Sequence, residues 1–390
     1  MPRLVISTVG TSIFTNQINM QSELDWSELL EARANDKDID NNEDILEAIE
    51  ELTARAKKTL YSDPKRRIIN DNFDKIWRSS AELNGLYGLY ERDLESGKFD
   101  EHLLITTDTK QGRISAQLIK EFLEIQGLTK TKIYIPSELS TATTSYFTKG
   151  IAGLITELDR KIIENQSKTI CFNLVGGFKA LQGYMNTIGM FYADEIIYIF
   201  EGKNQELIKI PRLPIKVDIT KVAPYEIQLA ILDVQIMPEA WEFAKNVPQD
   251  WILKIDKQLF LSAWGQIIWN KCKQEIMTKE KLLNFSKLKV DYADSFKDDY
   301  NKTKKPKERI RLQEQIASVA GILASHKDGI SALRDDGGIK LRRYKETDID
   351  HFNISDSLRV TCKVMDGGRL SLRYYGTHDH VHRSEGIKGN

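Results

Sequence analysis

Three times in the first half of the chain, a short apolar run ends in small or polar residues and gives way to a helix-period segment. Residues 4–8 lead into Val9-Gly10-Thr11-Ser12. Residues 102–106 lead into Thr107-Asp108-Thr109-Lys110-Gln111-Gly112-Arg113, and residues 169–174 into Val175-Gly176-Gly177-Phe178-Lys179. Short apolar runs bounded by turn residues fit strands buried on both faces. Further strands are expected at 132–135 and 195–200. Helices are expected within 22–60, then over 73–90, 114–125, 145–159 and 180–193, with apolar positions such as 118, 119, 122 and 125 one turn apart. Strands alternating with helices predict an α/β fold, a Rossmann-like, doubly wound and mostly parallel sheet. Ligands of such sheets bind beyond the carboxyl ends of the strands.

The three strand-end loops are therefore the candidate binding site. They offer Thr8, Gly10, Thr11 and Ser12, then Asp108, Thr109 and Gly112, then Gly176, Gly177 and Lys179. Glycine lets the backbone approach a ligand, and a following helix N-terminus presents free N–H groups to an anion. No GxxxxGK[ST] or GxGxxG occurs, which argues against a P-loop nucleotidase and a dinucleotide-binding domain. Backbone donors, hydroxyls and one lysine suit several phosphodiester charges better than a magnesium triphosphate. The same glycines would also serve simple tight strand–helix turns.

Pro211 and Pro214 close the α/β region, giving a first domain at 1–215. Residues 216–280, with Trp241, Trp251, Trp264 and Trp269, read as a helical connector. Residues 281–390 read as a small α+β domain: a helical pair, then strand-like runs at 339–344, 358–364 and 370–375 forming an antiparallel sheet. Net charge is −1 overall, but residues 281–390 hold 22 Lys+Arg against 16 Asp+Glu, so this domain is +6 and the remainder −7. A basic module on an acidic body suggests a polyanionic partner for that module; a merely solvated surface is the plain alternative. Cys171, Cys272 and Cys362 are far apart and form no CxxC pair, which fits a reducing cytoplasm. No apolar run reaches the roughly 18–20 residues of a membrane span, and the opening residues read as a first strand, not as a signal peptide.

Three of the six histidines fall at alternate positions near the end: Gly376-Thr377-His378-Asp379-His380-Val381-His382-Arg383. If extended, His378, His380 and His382 share one face. Such a set can bind a metal, do acid–base chemistry near neutral pH or hold a phosphate; it can also be a polar chain end or a tag remnant. Metal-free RNA cleavage needs a base for the 2′-hydroxyl proton, a cation for the charge growing on phosphorus, and an acid for the departing 5′-oxygen. Histidine suits the first and last roles and arginine the second. Arg342, Arg343 and Arg359 lie on the expected neighbouring strands.

Ile6-Ser7-Thr8-Val9-Gly10-Thr11-Ser12 and Asn173-Leu174-Val175-Gly176-Gly177-Phe178-Lys179 resemble the two signature motifs of the CRISPR-associated Rossmann-fold (CARF) sensor domains, over about 1–215. Ser80-Ala81-Glu82-Leu83-Asn84 resembles a helix segment of one branch of that family. The resemblance implies a homodimer binding a cyclic oligoadenylate, usually cyclic tetra-adenylate, at those loops, with the 108–113 loop contributing.

Residues 281–390 resemble the RelE/YoeB/HigB messenger-RNA interferases. Asn284-Phe285-Ser286 and Ser295-Phe296-Lys297-Asp298-Asp299-Tyr300 resemble the opening strand and helix, Ser357-Leu358-Arg359-Val360 the central arginine strand, and Gly376–Arg383 the family ending. This implies Arg359 as the phosphate-stabilising arginine, with His378 and His382 at catalytic positions and His380 without a counterpart. It further implies a metal-independent endoribonuclease cutting mRNA on the ribosome. Together the resemblances suggest an interferase of the CARF–RelE type, a type III CRISPR ancillary effector. The rivals are a ligand-regulated nucleic-acid binder that does not cut, and a metal-dependent nuclease.

Overall fold

The computed structural model describes residues 1–38, 43–61, 76–137, 139, 143–200 and 206–387. They form two compact units, Met1–Lys216 and Val217–Asn390.

The first unit is built on six strands: β1 (Arg3–Thr8), β2 (Glu101–Ile105), β3 (Thr131–Tyr134), β4 (Thr169–Asn173), β5 (Glu195–Ile199) and β6 (Leu207–Pro211). Their order is β3-β2-β1-β4-β5-β6, parallel except for β6, which returns antiparallel to β5. β1, β2 and β4 are buried at nearly every position, which is why they read as continuous apolar runs. The strand order reverses between β1 and β4. The crevice beyond their carboxyl ends is thus the switch point of the sheet, and the Gly10 and Gly176-Gly177 loops flank it.

The helices follow the expected periods. Lys110–Ile125 buries Ala116, Ile119, Phe122 and Leu123; Thr144–Glu164 and Lys179–Tyr192 match the helices expected nearby. Glu43–Tyr61 buries Ile45, Ile49 and Leu52. Of the helix expected over 73–90, Ala81–Leu89 is formed, capped by Ser80, whose Oγ accepts the Leu83 N–H; residues 73–75 lie outside the described residues.

The second unit holds two sheets. One has three strands, β7 (Met237–Pro238), β8 (Ile252–Ile255) and β9 (Gln258–Leu261), in the order β7-β9-β8. The purely helical reading of 216–280 is corrected here. A β-hairpin sits between helices Glu226–Val234 and Ala263–Met277, turning at Asp256 and Lys257, both at positive φ (49° and 61°) as a tight two-residue turn requires.

The other sheet comprises β10 (Val290–Tyr292), β11 (Arg342–Arg343), β12 (Asp350–Asn353), β13 (Leu358–Met365) and β14 (Arg369–Thr377), in the order β10-β14-β13-β12-β11. β10 runs parallel to β14; the other pairs are antiparallel. One buried cluster joins Trp269, Cys272 and Met277 to Phe296, Tyr300, Ile316, Val319, Phe352, Val360 and Leu372, so the segment before residue 281 shares its core with the five-stranded sheet.

Helices Asp294–Lys302 and Pro306–Ser325 cover one face of that sheet. On the other face the register sets Arg342 opposite His351, His351 opposite Thr361, and Arg359 between Asn353 and Gly376.

Candidate functional site

The histidine segment is not extended. His378–Glu385 is a helix, capped by Thr377, whose Oγ1 accepts the His380 N–H, and ended by Gly386 at φ 68°. The expected common face of three histidines is therefore replaced by a helical one. Residues four apart share a face, so His378 and His382 meet with ring centroids 3.9 Å apart. His380 turns away, its Nε2 3.0 Å from Asp299 Oδ2. Among the described residues no three His, Cys, Asp or Glu side chains are grouped as metal ligands.

Three contacts fasten this helix across β13 and β14. Val381 is fully buried at its centre. At its end the Glu385 carboxylate accepts from Thr361 Oγ1 at 2.7 Å and Arg373 Nε at 3.0 Å. At its start His380 reaches Asp299, and Gly376 leaves it room: a Cβ there would lie 2.6 Å from His380 Cδ2.

The helix thereby brings His382 edge-on to the Tyr344 ring, with centroids 4.7 Å apart. Tyr344 in turn stacks on His351 at 4.0 Å and 16°. His378, His382, Tyr344 and His351 form a continuous ladder of rings. Arg359 is close enough to depress the proton affinity of both His351 and His382. It also opposes the upward push of burial on the Tyr344 phenol, without closing a hydrogen bond to it.

Burial, then Arg359, His382 and Arg342, push His351 down to about 4. Burial, then His378 and Arg359, lower His382. Both are neutral imidazoles near neutral pH. The Tyr344 hydroxyl, His351 Nδ1 and His382 Nε2 are buried with no hydrogen-bond partner among the described residues. Orphaned polar atoms are rare in folded proteins, and three of them share this cluster.

Of the residues singled out in the sequence, Arg359, His378 and His382 come together. Arg342 is exposed on the same face, opposite His351. Arg343 points the other way along β11 and pairs at 3.0 Å with Asp350, whose side chain is fully buried and also 3.5 Å from Arg334. It is thus committed to closing the sheet edge. Tyr344 and His351 were missed, because strand pairing rather than sequence spacing brings them to Arg359.

The loops of the first unit meet at the switch point. Gly10 and Gly177 touch: a Cβ on Gly10 would lie 3.1 Å from Gly177 Cα. Gly177 has φ +100°, the left-handed region that favours glycine. Thr8 Oγ1 donates to the Gly176 carbonyl.

The side chain that ties these loops is Glu82, fully buried. It accepts from Gly10 N–H at 2.7 Å, from Ser12 Oγ at 3.1 Å, and from Ser80 Oγ. A Cβ on Gly176 would lie 2.1 Å from its Oε1, so this glycine is required by the carboxylate. The Gly10 and Ser12 donors, read in the sequence as available to a ligand, are engaged internally. The signal for Glu82 is a lone charged side chain in the otherwise uncharged helix Ala81–Leu89.

In the neighbouring loop Asp108 is paired with Lys37 at 2.9 Å and Arg113 at 2.6 Å, and these cations hold its carboxyl below the usual range. Thr109 Oγ1 caps helix Lys110–Ile125 through Gly112 N–H at 3.2 Å. Gly112 packs against the Thr106 and Thr107 hydroxyls, leaving no room for a side chain. Thr11 lends only its carbonyl to the short helix Ser12–Thr15. Lys179 is exposed without an ion-pair partner among the described residues, at the first turn of a helix with no side-chain cap.

Residues 77–213, which carry Glu82, β2 to β6 and the double-glycine loop, match the family described as CRISPR-associated protein (Cas_APE2256). The match spans about a third of the chain, and over that stretch the chain is similar to a CRISPR-associated protein. Among the described residues no helix is long and apolar enough to cross a membrane.

Proposed function

We propose that this chain is a ligand-switched endoribonuclease of CRISPR defence. The first unit, acting as a homodimer, takes a cyclic oligoadenylate, cyclic tetra-adenylate first among them. The second unit then cuts mRNA on the ribosome by 2′-hydroxyl attack, without a metal. The observation that carries the reading is the ring ladder His378–His382–Tyr344–His351, with three orphaned buried polar atoms beside Arg359.

In this reading Arg359 stabilises the charge growing on phosphorus, and the imidazoles supply proton transfer, unprotonated as base and protonated as acid. Lys179 and the open N–H groups of its helix take a ligand phosphate. The similarity of residues 77–213 to a CRISPR-associated family supports the sensor half. A ligand activates only through different affinities for the active and inactive states.

The test is cleavage of mRNA in a translation reaction with and without cyclic tetra-adenylate. The expected result is cleavage dependent on the ligand and on Arg359. Equal cleavage in both conditions removes the sensor role, and full activity of Arg359→Ala removes the chemistry.

A further inference from the structure

We infer that His351 is the base that takes the 2′-hydroxyl proton, leaving the His378–His382 pair to protonate the departing 5′-oxygen. This rests on the ribonuclease reading and divides its proton transfers between named groups.

In-line displacement at phosphorus puts the attacking and leaving oxygens on opposite sides of the phosphoryl group. Base and acid must therefore stand apart. His378 and His382 cannot do so as a pair: with ring centroids 3.9 Å apart they are in contact, and no phosphate fits between them. They act from one side. The other imidazole of the ladder is His351, on β12, with the Tyr344 ring between it and His382. Arg359 acts on both ends of this arrangement. The ladder thus offers what in-line chemistry asks for: one imidazole, a spacer, a stacked pair, and a guanidinium that serves both.

The charge states agree with the assignment. His351 faces Arg342 from β11, Arg359 from β13 and His382 from the helix, with Asp350 beside it on its own strand. Burial, and then the three neighbours from other elements, disfavour its protonation, so it is an unprotonated acceptor near neutral pH. Burial and the contact with His378 lower the proton affinity of His382, so a proton held there is given up readily.

The step balances. The 2′-O–H proton passes to an imidazole nitrogen of His351 as the 2′-O–P bond forms. The P–O5′ bond breaks, and a proton from the tail pair goes to O5′. The products are a 2′,3′-cyclic phosphate end and a 5′-hydroxyl end.

The experiment uses the full-length chain, ribosomes programmed with mRNA, and cyclic tetra-adenylate. Two messages are compared, one natural and one with sulfur replacing the 5′-oxygen at the mapped cut site. Thiolate leaves without an acid, so the sulfur message rescues loss of an acid but not of a base. His351→Gln is expected to slow cleavage of both messages by about 100-fold or more. The double variant His378→Ala, His382→Ala is expected to be slow on the natural message and restored on the sulfur one.

A second measurement needs no variant. On the sulfur message, which needs no acid, a base that stays neutral in mild acid keeps wild-type single-turnover cleavage at about pH 5.5 within about twofold of that at about pH 7; an ordinary histidine base loses about tenfold. Rescue of His351→Gln by sulfur, or a tenfold loss in the wild type at the lower pH, overturns the assignment while the ribonuclease reading stands. A wild type that cuts neither message overturns both.

Discussion

His380 Nε2 lies 3.0 Å from Oδ2 of Asp299, a carboxylate that also accepts the Tyr375 backbone N–H at 3.2 Å. This clasp sets the first turn of the histidine helix against β14, and it makes the middle histidine of the three a positioning group. His380→Ala removes one of the two hydrogen bonds that this buried carboxylate accepts among the described residues and should cost about 1 kcal/mol. Asp299→Ala strands the Tyr375 N–H as well and should cost about 2–3 kcal/mol. Denaturant unfolding of the two variants measures the difference. Equal small losses would show that the helix docks without the clasp.

The opposite end of the same helix makes a sharper prediction. Glu385 is buried to within 1% of full burial and joins Thr361 to Arg373. Glu385→Ala leaves the buried Thr361 hydroxyl without its partner and should cost about 2–3 kcal/mol. It should also loosen the contact of His382 with Tyr344 and so lower cleavage, although Glu385 is no part of the ring ladder. A stability loss with cleavage unchanged would separate the docking of the helix from the placing of its imidazoles.

Glu82 holds the three segments at the switch point together, and its replacement tests that role. Glu82→Ala removes the acceptor of Gly10 N–H and of two serine hydroxyls and should destabilise the first unit by about 2–3 kcal/mol. Amide hydrogen exchange should quicken at residues 8–12 and 175–178 before it quickens elsewhere. Uniform quickening across the unit would mean that the loops have no private fastening.

These residues also show what was legible in the chain. The parallel sheet could be read because β1, β2 and β4 are buried on both faces, so their sequences are apolar without alternation. The small sheet could not. β7 has two residues, β8 and β9 four each, and their hairpin turns on Asp256-Lys257 instead of a glycine dipeptide. The histidine segment reads as extended from its alternation, yet an alternating triplet also contains an i, i+4 pair. The deciding signals were local, Thr377 as N-cap and Gly386 as αL C-cap. Arg359 was found through a motif, whereas Tyr344 and His351 belong to the site only through the pairing of β12 with β11 and β13.

Lys179 should matter to binding and not to folding. It is exposed, and its side chain has no ion-pair partner among the described residues. Lys179→Ala should weaken cyclic tetra-adenylate binding by about 10- to 100-fold, the loss of one charge-assisted contact, with unfolding unchanged. Gly177→Ala should act through the fold, because φ +100° strains any other residue and its Cβ would lie 2.9 Å from Thr8 Cβ. Isothermal titration beside thermal unfolding distinguishes the two. Unaltered affinity in Lys179→Ala would take the ligand phosphate away from this helix.

The half-buried imidazole of His351 should make the second unit sensitive to acid. Its proton affinity is pushed from the ordinary 6.5 down to about 4 in the folded protein, first by burial and then by Arg359. Between these values the unfolded chain binds the proton and the folded chain does not. Stability rises with pH wherever the unfolded state holds more protons, so this contribution is complete above about pH 6.5 and is lost as pH falls towards about 4. His351→Phe keeps a ring against Tyr344 and cannot titrate. Urea unfolding of the second unit, followed through Trp251 and Trp269, should therefore fall less steeply with acid in His351→Phe than in the wild type. Identical slopes over this window would mean that His351 is protonated as readily in the folded chain as in the unfolded one.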